Sequence, residues 1–265
     1  MQRAQQTFHA AMMAQPLRSV LRCALRADPG RPFLTEPPHT AADWPAAKTL
    51  ALRLFWFKLT GTSGFMTLFF IAYLHLLRHP AYPVMIIPVT ALDRLVPFEP
   101  FALPFYLSLW FYVSLPPVLM DSRSEIARYG LWIGAMCLTG LSIFYFWPSA
   151  IPRTDIDWSV HPGIAFLKSI DAAGNACPSM HVATAVFSAF WLDRGLLRLR
   201  PAGPLRILSA LWCAAIVFST LATKQHMALD VLAGVALALV FYHGGASTLG
   251  GRRGMTGPKV PVREH

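Results

Sequence analysis

Residues 178–192 read PSMHVATAVFSAFWL and residues 226–243 read HMALDVLAGVALALVFYH, two apolar runs that both open on ionisable side chains. Their length and composition predict helices that cross a membrane. Working outward, four more stretches carry the same signature, which places six spans at about 61–77, 101–120, 130–147, 179–197, 204–222 and 226–243. The expected fold class is therefore all-α, an integral-membrane bundle of six transmembrane helices. Composition agrees: 265 residues that are 55% hydrophobic and 14% charged, with a mean hydropathy of +0.45, exclude an ordinary soluble domain.

A formal net charge of +10 would suggest nucleic acid as the partner of a soluble chain. Here the basic residues follow a topology instead. With both termini on one side of six spans, that side carries 18 of the 23 Lys and Arg and the other carries 5, the positive-inside pattern. No nucleic-acid partner is expected; the partners are the lipid bilayer and a lipid within it. The spans divide the chain into a cytoplasmic basic arm (1–60), a membrane domain (61–243) and a tail (244–265) rich in Gly and basic residues and read as disordered. No apolar core with a small-residue cleavage site precedes Pro16, so the arm does not read as a signal peptide. Within it, Leu17, Val20, Leu21, Ala24 and Leu25 recur at helical spacing beside Arg18, Arg22 and Arg26. That pattern suits a basic amphipathic helix on an anionic leaflet, or a disordered arm. The four cysteines, Cys23, Cys137, Cys177 and Cys213, are dispersed and form no disulfide framework.

By this topology the fourth and sixth spans both begin at the outer face. A helix start presents unpaired N–H groups and the positive end of the helix dipole, so two converging starts suit an anion such as phosphate. Pro178 fits a first turn, and Ser179 can cap it or bond the anion. His226 and Asp230 are four residues apart, one helical turn, which lets the carboxylate hold one imidazole nitrogen and leave the other free. Such an imidazole suits nucleophilic attack on phosphorus, with His181 placed to protonate the leaving oxygen. Each residue has a plainer reading: an interfacial His, or a Lys224 that snorkels to headgroups. Cys177, His181 and His226 lack a fourth ligand with zinc-site spacing, so no metal and no cofactor is expected. A proton-coupled or lipid transporter could also place His and Asp inside a bundle. The joint occurrence of Ser, two His and Asp on one side favours an enzyme.

At these residues the chain resembles the phosphatidic-acid phosphatase type 2 superfamily, whose pattern is a Lys/Arg–Pro segment, then PSGH, then Ser-Arg followed at set spacing by His and Asp. Pro178-Ser179-Met180-His181 stands in place of PSGH, and Thr220, after Ser219, stands where the family has Arg. Lys224 is the nearest substitute cation, and Arg153 falls in the region of the upstream basic segment. A bulky residue between Ser and His is similar to the inositol phosphorylceramide synthase and sphingomyelin-synthase-like branch. The resemblance implies a metal-independent lipid phosphatase or phosphotransferase with His226 as nucleophile, Asp230 orienting it and His181 as acid and then base. It further implies that Ser179, Lys224 and Arg153 hold phosphate oxygens. The expected setting is a bacterial inner membrane, with the site facing the periplasm and both termini cytoplasmic. The external segment 148–176, with Asp155, Asp157, Trp158, His161 and Asp171, reads either as contacts to an acceptor or as a cover.

Overall fold

The computed structural model describes residues 44–170, 174–199 and 202–250. The amphipathic pattern at 17–26 and the acidic position Asp171 lie outside the described residues. The chain is mostly helical, in the order α1 (Trp44–Leu52), α2 (Phe55–Arg78), β1 (Met85–Ile86), α3 (Ala91–Leu95), α4 (Leu103–Leu107), α5 (Leu109–Tyr112), α6 (Leu115–Val118), α7 (Arg123–Phe146), β2 (Ser149–Ala150), α8 (Pro162–Ile170), α9 (Met180–Leu196), α10 (Ala202–Ala222) and α11 (Ala228–Gly250). Among the described residues, α2, α7, α10 and α11 are long and apolar enough to cross a membrane. Their outward faces expose Trp56, Leu68, Leu131, Leu211 and Val240, the side chains that hydrocarbon rather than water would cover.

The other two expected spans depart from single long helices. Residues 101–120 form a chain of short helices because Pro104, Pro116 and Pro117 lack the N–H that an uninterrupted ladder needs. Ser108 and Ser114 sit at the breaks and donate their hydroxyls to the Phe105 and Trp110 carbonyls. Helix α9 has 17 residues, about 25 Å against a hydrocarbon core of ~30 Å. It continues past Asp193 and Arg194, and Asp193 is paired with Arg206 of α10. Two boundaries also move: α2 begins at Phe55, inside the stretch assigned to the arm, and α11 runs on to Gly250, inside the stretch assigned to the tail.

Helix α9 is the axis of the bundle. It supplies Ala183, Phe187 and Trp191 to a core shared with α2, α7 and α11, and Ala185 and Leu192 to a second core shared with α5, α6 and α10. Polar pairs cross these cores: Tyr129 with Ser188 at 3.1 Å and Tyr112 with Ser209 at 2.8 Å. At one end, β1 pairs in parallel with β2, so α2 and α7, which precede those strands, finish side by side. Segment 174–177 joins them: Ala150 bridges Gly174, and the Cys177 N–H donates to Ser149 Oγ at 2.9 Å. The chain then turns directly into α9, so the end of the bundle where α2 and α7 finish is where α9 begins.

There the backbones of α9 and α11 touch. The Ser179 N–H donates to the Asp230 carbonyl at 2.9 Å, and a Cβ at Gly234 would lie 2.5 Å from the Ser179 carbonyl oxygen. Only glycine allows this crossing. Gly234→Ala is expected to push the two helices apart and cost about 1–3 kcal/mol, read as a lowered thermal midpoint of the purified protein in detergent.

Candidate active site at the paired helix starts

The turn between α10 and α11 carries His226, and its geometry follows from how α10 ends. The Gln225 N–H reaches the Thr220 carbonyl at 3.1 Å and the Lys224 N–H reaches the Leu221 carbonyl at 3.1 Å, a Schellman closure. Its left-handed position, φ 53°, is held by Lys224 in place of the usual glycine. The His226 N–H shares the Thr220 carbonyl at 3.0 Å. Thr220, where the resemblance pointed to a missing arginine, thus has a backbone role in aiming the turn.

Helix α11 begins at Ala228, two residues later than expected, so His226 stands ahead of the helix rather than within it. Its ring nevertheless folds back onto the first turn, with Nδ1 2.7 Å from Asp230 Oδ2. A carboxylate only accepts, so Nδ1 carries the proton of this bond, and in the neutral ring the free lone pair is on Nε2. Both side chains are buried, Asp230 completely. The ring of His181, in the first turn of α9, lies 5.6 Å from that of His226 between centroids. Tyr106 stacks on His181 at 4.4 Å, its hydroxyl 3.5 Å from Nδ1, and Trp110 meets the ring edge-on. His181 Nε2 and Asp230 Oδ1 are buried without a hydrogen-bond partner.

Ser179 is the N-cap of α9, where its hydroxyl accepts the Val182 N–H at 3.3 Å. The geometry therefore brings His181, Ser179, His226 and Asp230 together. Lys224 is adjacent, and its ammonium donates to the Asp93 and Val96 carbonyls at 3.1 and 2.5 Å. Arg153 is exposed, and no hydrogen bond described for this cluster includes it. Among the described residues, no group of three or more His, Cys, Asp or Glu side chains is arranged to hold a metal ion.

Three contributors were not read from the sequence. Asp93 Oδ1 accepts the Ala228 N–H at 2.7 Å, capping α11 from a distant loop, while Oδ2 accepts the Thr90 N–H and hydroxyl, both at 2.7 Å. The signal for it was Thr90-x-x-Asp93, the spacing of a capping box. Lys168 of α8 donates to the Lys224 carbonyl at 3.2 Å and lies 4.4 Å above the Trp158 ring. Tyr106, which brackets His181, comes from a stretch read only as a span.

Burial pushes the Asp93 carboxyl up, but its hydrogen bonds from Thr90 and Ala228 and the nearby Lys224 charge outweigh burial and leave it below its ordinary value. A carboxyl depressed by folding stabilises the fold above its ordinary value of 3.8 and loses that contribution as pH falls through the depressed one. Thermal unfolding of wild type is thus expected to weaken below pH ~4 more steeply than that of Asp93→Asn. Asp93→Ala, which strands the Ala228 and Thr90 donors, is expected to cost about 1–3 kcal/mol at neutral pH.

The PAP2 superfamily model matches residues 98–243, more than half of the chain and every residue of the histidine cluster. No curated protein matches the chain.

Proposed function

The chain belongs to the PAP2 superfamily, whose activity is of the phosphatase type, and we propose that it is a membrane-embedded enzyme acting on a lipid phosphate ester through a phospho-histidine at His226. The observation that carries this reading is the 2.7 Å bond between His226 Nδ1 and Asp230 Oδ2, with a second imidazole one ring-width away. The Nε2 lone pair of His226 attacks phosphorus, a P–N bond forms, and the P–O bond to the leaving alcohol breaks. His181 gives its proton to that oxygen. Water, or an alcohol acceptor, then attacks phosphorus from the side of His181, which takes the proton as the P–N bond breaks. The start of α9 and the cations of the outer loops stabilise the charge on the phosphoryl oxygens. Ser179 and Lys224 bind those oxygens, and Arg153 receives the anionic headgroup from solvent.

In this reading the segment 101–120 and α9 complete six crossings, and the termini share the cytoplasmic side of a bacterial inner membrane. The paired helix starts then face the periplasm. The broken helices of 101–120 are compatible with a crossing because the Val113 carbonyl, which Pro117 leaves without an N–H, accepts the Tyr129 hydroxyl at 3.3 Å, and the Ser108 and Ser114 hydroxyls bond carbonyls at the breaks. Met180 is similar to the phosphotransferase branch, where an alcohol replaces water in the second step.

With an aryl phosphate, whose leaving oxygen needs no proton, His181→Ala is expected to accumulate an acid-labile phosphoryl group on His226 and to slow turnover by about 10²–10⁴-fold. Full turnover by folded His226→Ala would sink the proposal. Release of phosphate to water and transfer to added inositol or glycerol, measured side by side, separates hydrolase from transferase. Activity is expected to survive chelation of divalent ions. For Lys224, glycine suits the left-handed backbone and alanine does not. Lys224→Gly thus relieves the backbone but also removes the ammonium that ties the turn to the Asp93 and Val96 carbonyls, and assayed below its own thermal midpoint it should raise KM by about tenfold or more, the loss of one charge-assisted contact to phosphate.

A further inference from the structure

His181 faces two environments. One side of its ring meets His226; another lines a cavity of about 350 Å³ between α2, the segment 101–120, α7, α8 and α9. Met180 lines the same cavity, its side chain packed in a notch on α7 that exists because residue 140 is glycine. A second cavity of about 210 Å³ adjoins the first, and the two share Phe65 and Met66 of α2, Val113, and Ile133 of α7. No Lys, Arg, Asp or Glu lines either one. Together they follow α2 from Leu74, near the site, down to Phe57, seventeen residues or about 25 Å of helix rise.

We propose that this seam between α2 and α7 binds the substrate's hydrocarbon as a single extended chain, with the phosphate at His226 and the chain tip beside Gly61 and Gly130. The proposal rests on the phosphoesterase reading and adds to it the chain selectivity of the site. The occupant follows from the lining: voids whose surface is almost wholly apolar, with no charged side chain, and that reach the His181 imidazole gain packing contacts when filled by hydrocarbon, whereas a polar occupant would find few partners. The shape also counts, because about 350 and 210 Å³ spread along some 25 Å of α2 leave a narrow cross-section, that of one extended chain rather than two abreast. Helix α8 closes the seam on the site side, placing Phe166 and Leu167 over the cavity while Lys168 of the same helix reaches the turn that carries His226. The two ends of one amphiphile would thus meet a single short helix.

Gly61 and Gly130 offer the test, since a Cβ at either meets nothing within 4 Å and both line the inner cavity. Leucine there fills the far end of the seam and leaves the histidine cluster untouched. For wild type in mixed micelles at fixed mole fraction, kcat/KM is expected to rise from butyl to tetradecyl phosphate by about tenfold or more and then level off. Gly130→Leu and Gly61→Leu should keep wild-type activity on butyl phosphate and lose about tenfold on tetradecyl phosphate. A flat chain-length profile, or equal losses on short and long esters in a variant with the wild-type thermal midpoint, would overturn the proposal.

A readout free of turnover accompanies it: tetradecyl phosphate with a diazirine at its terminal carbon, crosslinked to the wild-type protein in detergent. Label within 57–66 and 126–133, displaced by excess tetradecyl phosphate but not by butyl phosphate, is the expected result. Label spread over the outward faces of the bundle would count against the seam. Labelled seam without turnover of any ester would remove the phosphoesterase reading and leave the chain site standing. Turnover with a flat profile and no seam label would do the reverse.

Discussion

The bond from the Ser179 N–H to the Asp230 carbonyl joins the starts of two helices that the chain separates by some fifty residues. Backbone donors at a helix start need partners, and here one helix supplies the other's. Because the carbonyl belongs to Asp230, the same residue whose carboxylate holds His226, the separation of the two imidazoles is set by backbone geometry. Gly234 makes that geometry attainable, since any side chain there would meet the Ser179 carbonyl. Everything proposed for the site inherits its precision from this crossing. His181 is positioned by α9, His226 by the turn before α11, and the crossing relates the two.

Much of the loop structure at this end of the bundle serves the turn at 223–227. Asp93 caps α11, Lys224 ties the turn back to the Asp93 and Val96 carbonyls, and Lys168 binds the Lys224 carbonyl. Two segments remote in sequence, the loop at 93–96 and α8, therefore converge on the turn around His226. Lys224 carries both a left-handed backbone and a cation, where glycine would satisfy only the first. That double demand accounts for a lysine at a position whose backbone prefers glycine.

The spans at 61–77, 130–147, 204–222 and 226–243 were legible because hydropathy is a property of a window, and each window maps to a long helix. The stretch 101–120 was misread as one helix because its proline spacing was outweighed by its hydropathy. Pro104, Pro116 and Pro117 were the available signal. Within the site, the spacing of His226 and Asp230 suggested their pairing, although the four-residue rule assumes a helix and His226 precedes it. Thr90-x-x-Asp93 signalled a local cap, but the reach of Asp93, Tyr106 and Lys168 to the site was not legible. Each reaches the site across 56 to 135 residues of sequence, and no local periodicity encodes such a contact.

A hydrogen-bonded imidazole and carboxylate inside an apolar bundle also bear on what the fold is for. A buried polar pair is at best neutral for stability against well-packed hydrocarbon, and the unpartnered Asp230 Oδ1 and His181 Nε2 add desolvation that nothing in the bundle offsets. Were the cluster structural, aliphatic side chains at 181, 226 and 230 would hold α9 and α11 together at least as well, because the crossing is made by backbone and by Gly234. The helices do not need these side chains. In the proposed enzyme what needs them is a reacting group that arrives between the two imidazoles, and the apolar cavity that His181 lines suits one that arrives attached to hydrocarbon.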